Sequence, residues 1–372
     1  MKLLAAFIFL SILTACQMSC SKGNDCPYTF YIGTYTGGDS KGIYQCMLKR
    51  DGVLQDIVLA SELDNPSFLA LSKDRNYLLA ISEVSSEDNE GSIVSYAVRK
   101  DTLEFVSRTT SGGAHPCFIA VNDDGYVLAA NYTGGNIGLV RMNENGRLSD
   151  LLDLKQHTGQ GPTDRQKGPH AHSAWFLPGE QEVIAVDLGT DELWFYHLDT
   201  MSQILIPEEQ EKLGMAPGAG PRHVAFHPDG KWIYVINELS CTVTQVLKGN
   251  KGKYEIRSSI STLPDGYKEP NTCADIHLSP DGKFLYASNR GHNSLAIYSV
   301  NKHDGTLTAV GYQPVHGSWP RNFALSPDGK YLLVANQRSD NIVSFRRDEQ
   351  TGMLEYLDET ETPSPVCIVF HN

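Results

Sequence analysis

A motif that recurs roughly every fifty residues constrains the fold of this chain more than any other feature of its sequence. Each copy has a short apolar stretch, a turn and a second apolar stretch, as in PRNFALSPDGKYLLVANQ. The spacing between successive copies lies between 47 and 55 residues. The copies begin at Pro66, Pro116, Ala171, Pro221, Cys273 and Pro320. A period of this length indicates an array of similar supersecondary units.

Each copy has the pattern of a small antiparallel sheet. The turn reads SPDG or HPDG in three copies, and Asp and Gly suit a tight connection between two strands. A polar loop follows, then an alternating strand such as NSLAIYSV, and then a weaker fourth strand. Four antiparallel strands repeated at this spacing are typical of β-propeller blades. The sequence therefore predicts an all-β propeller.

The two ends of the repeat region complete the ring. Residues 364–370, SPVCIVF, have the pattern of a first strand without a second, and residues 28–38, YTFYIGTYTGG, have the pattern of a second strand without a first. Pairing the two segments in one sheet makes a seventh blade and removes an open sheet edge. Residues 28–372 are therefore predicted to form one seven-bladed domain, closed by its own N- and C-terminal strands.

Charged side chains recur at equivalent positions of the repeat. In a propeller the first strand of each blade lines the channel, and the second strand runs antiparallel beside it. The start of the first strand and the end of the second therefore meet at one mouth. Five charged or imidazole side chains occupy these positions: His172, Arg222, Arg321, Glu238 and Arg290. Arginine binds carboxylate or phosphate and stays protonated, so this pattern predicts an anionic ligand at the mouth.

Other polar residues near these positions are candidates for supporting roles. Glu238 and His172 are candidate general bases or acids, provided that burial and neighbours shift their pKa values toward neutrality. His115, Asn131 and Asn289 are candidate substrate-binding residues at the same mouth, although Asn at a strand end is usually a backbone cap.

Two histidines lie close together in GPHAH, at residues 168–172. The repeat alignment places His172 at the position of Arg222, facing the mouth, and His170 earlier, in the incoming loop. His223 points the other way along its strand and is predicted to be structural. No further ligand accompanies the GPHAH pair at recognisable spacing, and the eight cysteines show no zinc-type spacing. We expect neither a metal nor another cofactor.

The N-terminus has the pattern of an export signal. One Lys precedes an apolar run that ends in Leu13-Thr14-Ala15-Cys16, which resembles the bacterial lipobox. This predicts a signal peptide over residues 1–15, a lipid on Cys16 and a tether over residues 16–27. The protein would then be anchored to the cell envelope. The tether cysteines, Cys20 and Cys26, are a candidate disulfide in an exported protein, whereas the cysteines of the strands are predicted to be buried free thiols.

An ordered set of motifs connects the chain to a known family. YIGTYT, PCFIAV, NYTGG, GPHAH, GPRHVAFHPDG, VINEL, SNRGHNS and PRNFALSPDG resemble the seven-bladed lactonases. That family includes propeller-type 6-phosphogluconolactonases and the fungal carboxymuconate-lactonising enzyme. The resemblance implies catalytic roles for His172 (or His170), Arg222, Glu238 and Arg290. It also implies hydrolysis of 6-phosphogluconolactone, but the export signal departs from that cytoplasmic context.

Three functions are compatible with these patterns. The first is metal-independent hydrolysis of a sugar-acid lactone, in which arginines hold the anionic group and the developing oxyanion. The second is the reverse chemistry, in which an unsaturated acid is cyclised to a lactone. The third is a non-catalytic propeller that binds a sugar acid or a protein at the envelope. The net charge of −13 and the lack of a basic run argue against nucleic-acid binding, and we expect a monomer.

Overall fold

Seven four-stranded antiparallel sheets make up the described part of the chain. The computed structural model describes residues 27–85, 90–100, 102–177, 179, 181–249 and 252–372. The predicted all-β fold with seven four-stranded blades is confirmed. In these ranges the helical content is a 3-10 turn at Asp164–Gln166, and no helix has the length and apolarity required to cross a bilayer. The predicted signal peptide, Cys16, Cys20 and Cys26 lie outside the described residues.

The strands follow one another in the order that the repeat predicts. The chain begins with β1 (Tyr28–Thr34), β2 (Gly42–Leu48) and β3 (Val58–Glu62). Blade 1 contains β4 (Leu69–Leu71), β5 (Tyr77–Ser82), β6 (Ser92–Val98) and β7 (Leu103–Thr110). Blade 2 contains β8 (Pro116–Val121), β9 (Tyr126–Asn131), β10 (Asn136–Arg141) and β11 (Asp153–Gln156). Blade 3 contains β12 (Ala171–Phe176), β13 (Glu182–Asp187), β14 (Glu192–Asp199) and β15 (Ile204–Gly214).

The remaining blades repeat this arrangement. Blade 4 contains β16 (Pro221–Phe226), β17 (Trp232–Asn237), β18 (Thr242–Lys248) and β19 (Tyr254–Ser261). Blade 5 contains β20 (Thr272–Leu278), β21 (Phe284–Arg290), β22 (Ser294–Val300) and β23 (Leu307–Pro314). Blade 6 contains β24 (Pro320–Leu325), β25 (Tyr331–Asn336), β26 (Asn341–Arg347) and β27 (Leu354–Glu361). The last strand, β28 (Pro365–Phe370), pairs with β1, so blade 7 has the order β28-β1-β2-β3 and joins the two ends as predicted.

Apolar contacts between neighbouring blades hold the ring together. Each first strand contacts the first strands of both neighbouring blades, which closes an inner ring of seven strands. Seven clusters of buried apolar side chains lie between adjacent blades, one at each interface. The second strands are buried on both faces, which explains why they read as continuous apolar runs such as YLLVAN.

A β-bulge near the start of the first strand recurs in six of the seven blades. At the bulge one residue, or two in blade 5, has no partner on the second strand. The unpaired residues are Cys117, His172, Arg222, Ala274 with Asp275, Arg321 and Val366. An extra residue interrupts the period-two alternation of side chains, so that two consecutive side chains can point to the channel.

The bulge overturns one expectation, because His223 does not point away from the channel. Its ring makes edge contacts with Phe68 of blade 1 and Phe118 of blade 2, across the channel from its own blade. It also lies 5.3 Å from the ring of His172. The prediction assumed unbroken alternation, whereas the bulge at Arg222 turns both Arg222 and His223 inward.

Candidate active site at the channel mouth

Two sets of repeat positions meet at one mouth of the channel. One set is the bulge position of the six first strands that have a bulge, and the other is the residue at or just after the end of each second strand. The antiparallel pairing brings the sets together, as in the pairs Pro221 with Asn237 and Thr272 with Arg290. We call both sets together the mouth ring. Its second-strand members are Tyr35, Glu83, Tyr132, Leu188, Glu238, Arg290 and Gln337.

Glu238 lies at the centre of a cluster of arginines. Its Oε2 is 3.2 Å from Arg222 Nε and 2.8 Å from Arg290 Nη2. Its Oε1 is 3.1 Å from Arg165 Nη2. Glu238, Arg222 and Arg290 are almost completely buried, whereas the Arg165 side chain is 53% exposed. Both carboxylate oxygens are therefore already occupied by guanidinium groups.

Backbone carbonyls of the neighbouring blade hold the two buried arginines in place. Arg222 Nη1 donates a hydrogen bond of 2.6 Å to the carbonyl of Ala274, which lies in the blade 5 bulge. Arg290 Nη2 donates to the carbonyl of Cys273, also at 2.6 Å. Such bonds restrict the guanidinium groups before any ligand binds, which favours preorganised recognition of an anion.

The electrostatics of this cluster differ from the expectation of groups tuned to neutral pH. Burial opposes ionisation of Glu238, but Arg290, Arg222 and Arg165 outweigh it and lower its pKa to about 2. Burial, Arg222 and His223 hold the pKa of His172 well below its usual value. Glu238 is therefore ionised and His172 neutral at neutral pH, and neither is a strong proton acceptor. The condition under which these two groups were candidate general bases or acids is therefore not met.

A second carboxylate lies in the same ring. Tyr35 donates a hydrogen bond of 2.8 Å to Glu83 Oε2, and Arg321 Nη2 donates one of 2.8 Å to the Tyr35 hydroxyl. The sequence reasoning included Arg321 but missed Glu83 and Tyr35. Glu83 follows its second strand as Glu238 does, so applying the same repeat position to blades 1 and 7 would have found both residues.

Arg165 was also missed. It lies in the 3-10 turn of the loop that joins blade 2 to blade 3, where the spacing of the repeat is longest. Gln166, which is fully buried, anchors this turn through hydrogen bonds to the Leu188 carbonyl and Asp191 Oδ1. The 55-residue spacing is the one sequence signal that marks the insertion, but it does not show where the loop folds.

The two histidines of GPHAH lie on either side of Tyr132. The His170 ring stacks on the Tyr132 ring at 4.4 Å, and its Nδ1 donates to the Tyr132 carbonyl at 2.9 Å. His172 meets the same ring edge-on, and its Nδ1 lies 3.7 Å from the Cys117 thiol. His115 is half-buried, with Nδ1 3.0 Å from the Thr133 hydroxyl. These histidines therefore surround the mouth without contacting Glu238 directly.

Asn131 and Asn289 do not line the mouth. Both side chains are fully buried. Asn131 donates to the carbonyl of Ser111 and to Asn136 Oδ1 within blade 2. Asn289 donates to the carbonyl of Thr262. Both fasten their strand ends to neighbouring backbone, which fits the cap role expected of Asn at a strand end, and their role in substrate binding stays a prediction.

A buried carboxylate below the mouth orients His223. Asp275 Oδ1 accepts from His223 Nδ1 at 2.8 Å, and its Oδ2 accepts from His277 Nε2 at 2.9 Å and from Asn322 Nδ2 at 2.6 Å. Burial and Arg222 lower the pKa of His223 to about 4, so its ring is neutral with the proton on Nδ1. Its Nε2 can then accept from Arg222 Nη1, which lies 3.3 Å away.

The five cysteines of the strand regions are buried and free, as predicted. They are Cys46, Cys117, Cys241, Cys273 and Cys367. Across the described ranges, no three His, Cys, Asp or Glu side chains are grouped so that they could hold a metal ion.

Comparisons with known proteins agree with this architecture. A family model for seven-bladed β-propeller lactonases matches residues 29–370. A 6-phosphogluconolactonase of Bacillus subtilis is 37% identical over 349 residues, which cover 92% of this chain and 98% of that protein. A 6-phosphogluconolactonase of Formosa agariphila is 38% identical and covers 81% and 87%. The structure of a periplasmic gluconolactonase of Pseudomonas aeruginosa superimposes with a TM-score of 0.88 at 30% identity, covering 93% and 99%. The chain belongs to the seven-bladed β-propeller lactonase family.

Proposed function

We propose that the protein hydrolyses a sugar-acid lactone at the channel mouth. The observation that carries this proposal is the charge of the mouth ring and its loop. Four guanidinium groups, those of Arg165, Arg222, Arg290 and Arg321, surround a carboxylate, Glu238, and Glu83 lies beside Arg321 through a tyrosine. Asp275, which lies just below the mouth, is a third carboxylate, so four cations against three carboxylates leave one positive charge in excess, which favours an anionic ligand.

Electrostatic repulsion among the buried arginines also supports an anionic ligand. Burial, Arg290 and Arg321 lower the pKa of Arg222 to about 10, and burial and Arg321 also lower the pKa of Arg290. The charged forms are thus destabilised by one another, and a bound anion would relieve this repulsion. Within the described residues, two buried polar atoms at mouth-ring positions, Arg290 Nε and Gln337 Oε1, have no hydrogen-bond partner. Arg222 Nε has its ion pair with Glu238 Oε2 but no hydrogen bond of good geometry.

This arrangement can promote attack on a lactone carbonyl. Arg222 and Arg290 are buried, so their interaction with a developing oxyanion is weakly screened and needs little reorganisation. Arg165 is half-exposed at the rim and can bind the anionic or hydroxylated end of the substrate. The names of the relatives, 6-phosphogluconolactonase and periplasmic gluconolactonase, support an aldonic-acid lactone as the substrate class.

We further propose that the protein acts as an envelope lipoprotein, on a lactone that is not confined to the cytoplasm. This rests on residues 1–16 of the sequence and on the periplasmic name of one structural relative. The test is to express wild type and Cys16→Ala in a bacterium that processes lipoproteins. Wild type is expected in the membrane fraction with a lipid-modified N-terminus, and the variant is not. If wild type and Cys16→Ala distribute equally between the fractions and wild type carries no lipid, the proposed anchor is contradicted.

The catalytic proposal is tested with a lactone panel. Purified protein is assayed with 6-phosphogluconolactone and unphosphorylated gluconolactone, with spontaneous hydrolysis subtracted. We expect wild type to accelerate at least one of them and Glu238→Gln to lose most of this acceleration, because the guanidinium groups lose their counter-charge. Glu104→Gln is the matched control, since Glu104 is exposed on an outer strand. If wild type hydrolyses neither lactone faster than the spontaneous reaction, the proposal is refuted.

A further inference from the structure

Lactone hydrolysis needs a proton acceptor for the attacking water, and the two residues first expected in this role are poorly suited to it. Each Glu238 oxygen already contacts a guanidinium group, and its pKa of about 2 makes it a weak base. His172 is buried among cations that oppose its protonation. A general base is most effective when its proton affinity suits the working pH, which neither group meets.

Within the described residues, Glu83 makes none of the ion pairs that occupy both carboxylate oxygens of Glu238. Its carboxylate accepts one hydrogen bond, from the Tyr35 hydroxyl, and it forms no ion pair with any other described residue. Glu83 is half-buried, so the residue keeps some exposure to solvent. It occupies the same repeat position as Glu238, at the end of the second strand, but in blade 1 instead of blade 4.

Both carboxylates act electrostatically on one buried thiol. The thiol of Cys117, at the bulge of blade 2, lies within electrostatic range of both of them. Burial chiefly raises its pKa, Glu83 and Glu238 raise it further, and Arg222 and Arg321 lower it. Arg222 and Arg290 belong to blades 4 and 5 and Glu83 follows the second strand of blade 1, so a lactone held by the two arginines would have Glu83 across the mouth.

We propose that Glu83 is the general base of the lactonase reaction, which assumes the lactone hydrolysis proposed above. Glu83 takes a proton from water while the water oxygen forms a bond to the lactone carbonyl carbon. The carbonyl oxygen becomes an oxyanion facing Arg222 and Arg290. As the intermediate collapses, the bond between the acyl carbon and the ring oxygen breaks, and protonated Glu83 returns its proton to that oxygen. One lactone and one water give one hydroxy acid, without an oxidant or a cofactor.

Tyr35 and Arg321 are positioning residues for this base. Burial raises the pKa of Tyr35, so its hydroxyl stays protonated and donates to Glu83. Arg321 donates to the same hydroxyl and fixes its direction, with its guanidinium 5.2 Å from the centre of the Tyr35 ring. The hydrogen bonds from Arg321 to Tyr35 and from Tyr35 to Glu83 thus hold one carboxylate oxygen of Glu83 in place. The other oxygen is left to accept the proton of the attacking water.

The test compares Glu83→Gln, Tyr35→Phe and the surface control Glu104→Gln on the best lactone of the panel. General-base catalysis contributes about 10²–10⁴-fold, so Glu83→Gln is expected to lower kcat at least about a hundredfold with little change in KM. Tyr35→Phe keeps the ring and is expected to lower kcat roughly five- to twentyfold, on the scale of one hydrogen bond. Glu104→Gln should match wild type.

The outcomes separate the two proposals. If wild type hydrolyses no lactone, the proposed function fails. If wild type is active and Glu83→Gln keeps kcat within about threefold, a size far below that of general-base catalysis, the role of Glu83 is refuted. If Glu83→Gln does not fold, Glu83→Asp decides, because it keeps the carboxylate but withdraws it by one methylene. A loss of kcat at constant KM supports the proposal, and an unchanged kcat overturns it.

Discussion

Replacing Glu238 by the isosteric Gln tests the electrostatics of the mouth directly. The arginines lower the pKa of Glu238 from 4.5 to about 2 in the folded protein. At about 1.4 kcal/mol per pKa unit, ionised Glu238 contributes about 3 kcal/mol to the free energy of unfolding at pH 7. Glu238→Gln removes this charge but keeps the shape, and the side chain is nearly completely buried. We therefore expect the variant to be about 3 kcal/mol less stable.

The pH dependence of this difference has a defined sign. A carboxyl group with a lowered folded-state pKa stabilises the protein above its unfolded pKa, and this stabilisation is lost as the pH falls from 4.5 toward 2. The difference between wild type and Glu238→Gln should therefore shrink to about 1 kcal/mol at pH 3. Equilibrium unfolding in urea measures it, because guanidinium salts would screen the ion pairs.

Glu104→Gln again serves as the control. Glu104 pairs with Arg99 at 2.8 Å, but its side chain is 62% exposed, so its loss should cost about 0.5 kcal/mol or less. A difference below about 1 kcal/mol between wild type and Glu238→Gln at pH 7 would refute the reasoning. A larger difference that stayed constant from pH 7 to pH 3 would also refute it, because the destabilisation would then not arise from the charge.

Three further outcomes are expected. Arg165→Ala should raise KM for an anionic lactone by about tenfold, with little change in Tm because the Arg165 side chain is half-exposed. Lys167→Ala is the control. Equal KM values for the two variants would contradict a binding role for Arg165. Asp275→Asn should lower the free energy of unfolding, measured in urea, by about 3 kcal/mol, because two histidines and an asparagine donate to this buried carboxylate. A loss below about 1 kcal/mol would argue against a stabilising role for the ionised Asp275. Among the five buried thiols of the blades, Cys241 should be alkylated first by iodoacetamide, since hydrogen bonds from Cys273 and Asn271 lower its pKa. Mass spectrometry showing another thiol ahead of it would contradict this.

Much of the fold could be predicted because local signals repeat seven times. The turn SPDG at residues 326–329 has its Gly at a φ of 69°, and Ser326 and Asp328 cap the turn through their side chains. The apolar second strands follow from the burial of both sheet faces between blades. Ring closure followed from two incomplete motifs at the chain ends. None of these inferences needed side-chain geometry.

The site was only partly predictable, because its details depend on departures from the repeat. Period-two alternation cannot indicate a bulge, so the inward position of His223 was not found. Arg165 lies in a loop that has no counterpart in the other blades. Asn131 and Asn289 follow the repeat perfectly, yet their side chains satisfy backbone groups beside the ring instead of facing it. A repeat position predicts where a residue lies but not which partners its side chain chooses.

The bulge also explains how buried arginines can be held at the mouth. A bulged residue leaves the regular ladder, so its carbonyl needs another donor. The carbonyl of Ala274 accepts from Arg222, and the carbonyl of Arg222 accepts from Ser173 of the preceding blade. From blade 3 to blade 4 and from blade 4 to blade 5, a side chain of one blade thus satisfies the bulge of the next, and ordering the site orders these blade interfaces. Because this exchange uses backbone carbonyls, the ring can carry different side chains on the same scaffold. Changes of substrate are therefore expected from substitutions at mouth-ring positions outside the proposed catalytic groups, such as Leu188 and Gln337, without rebuilding the blades.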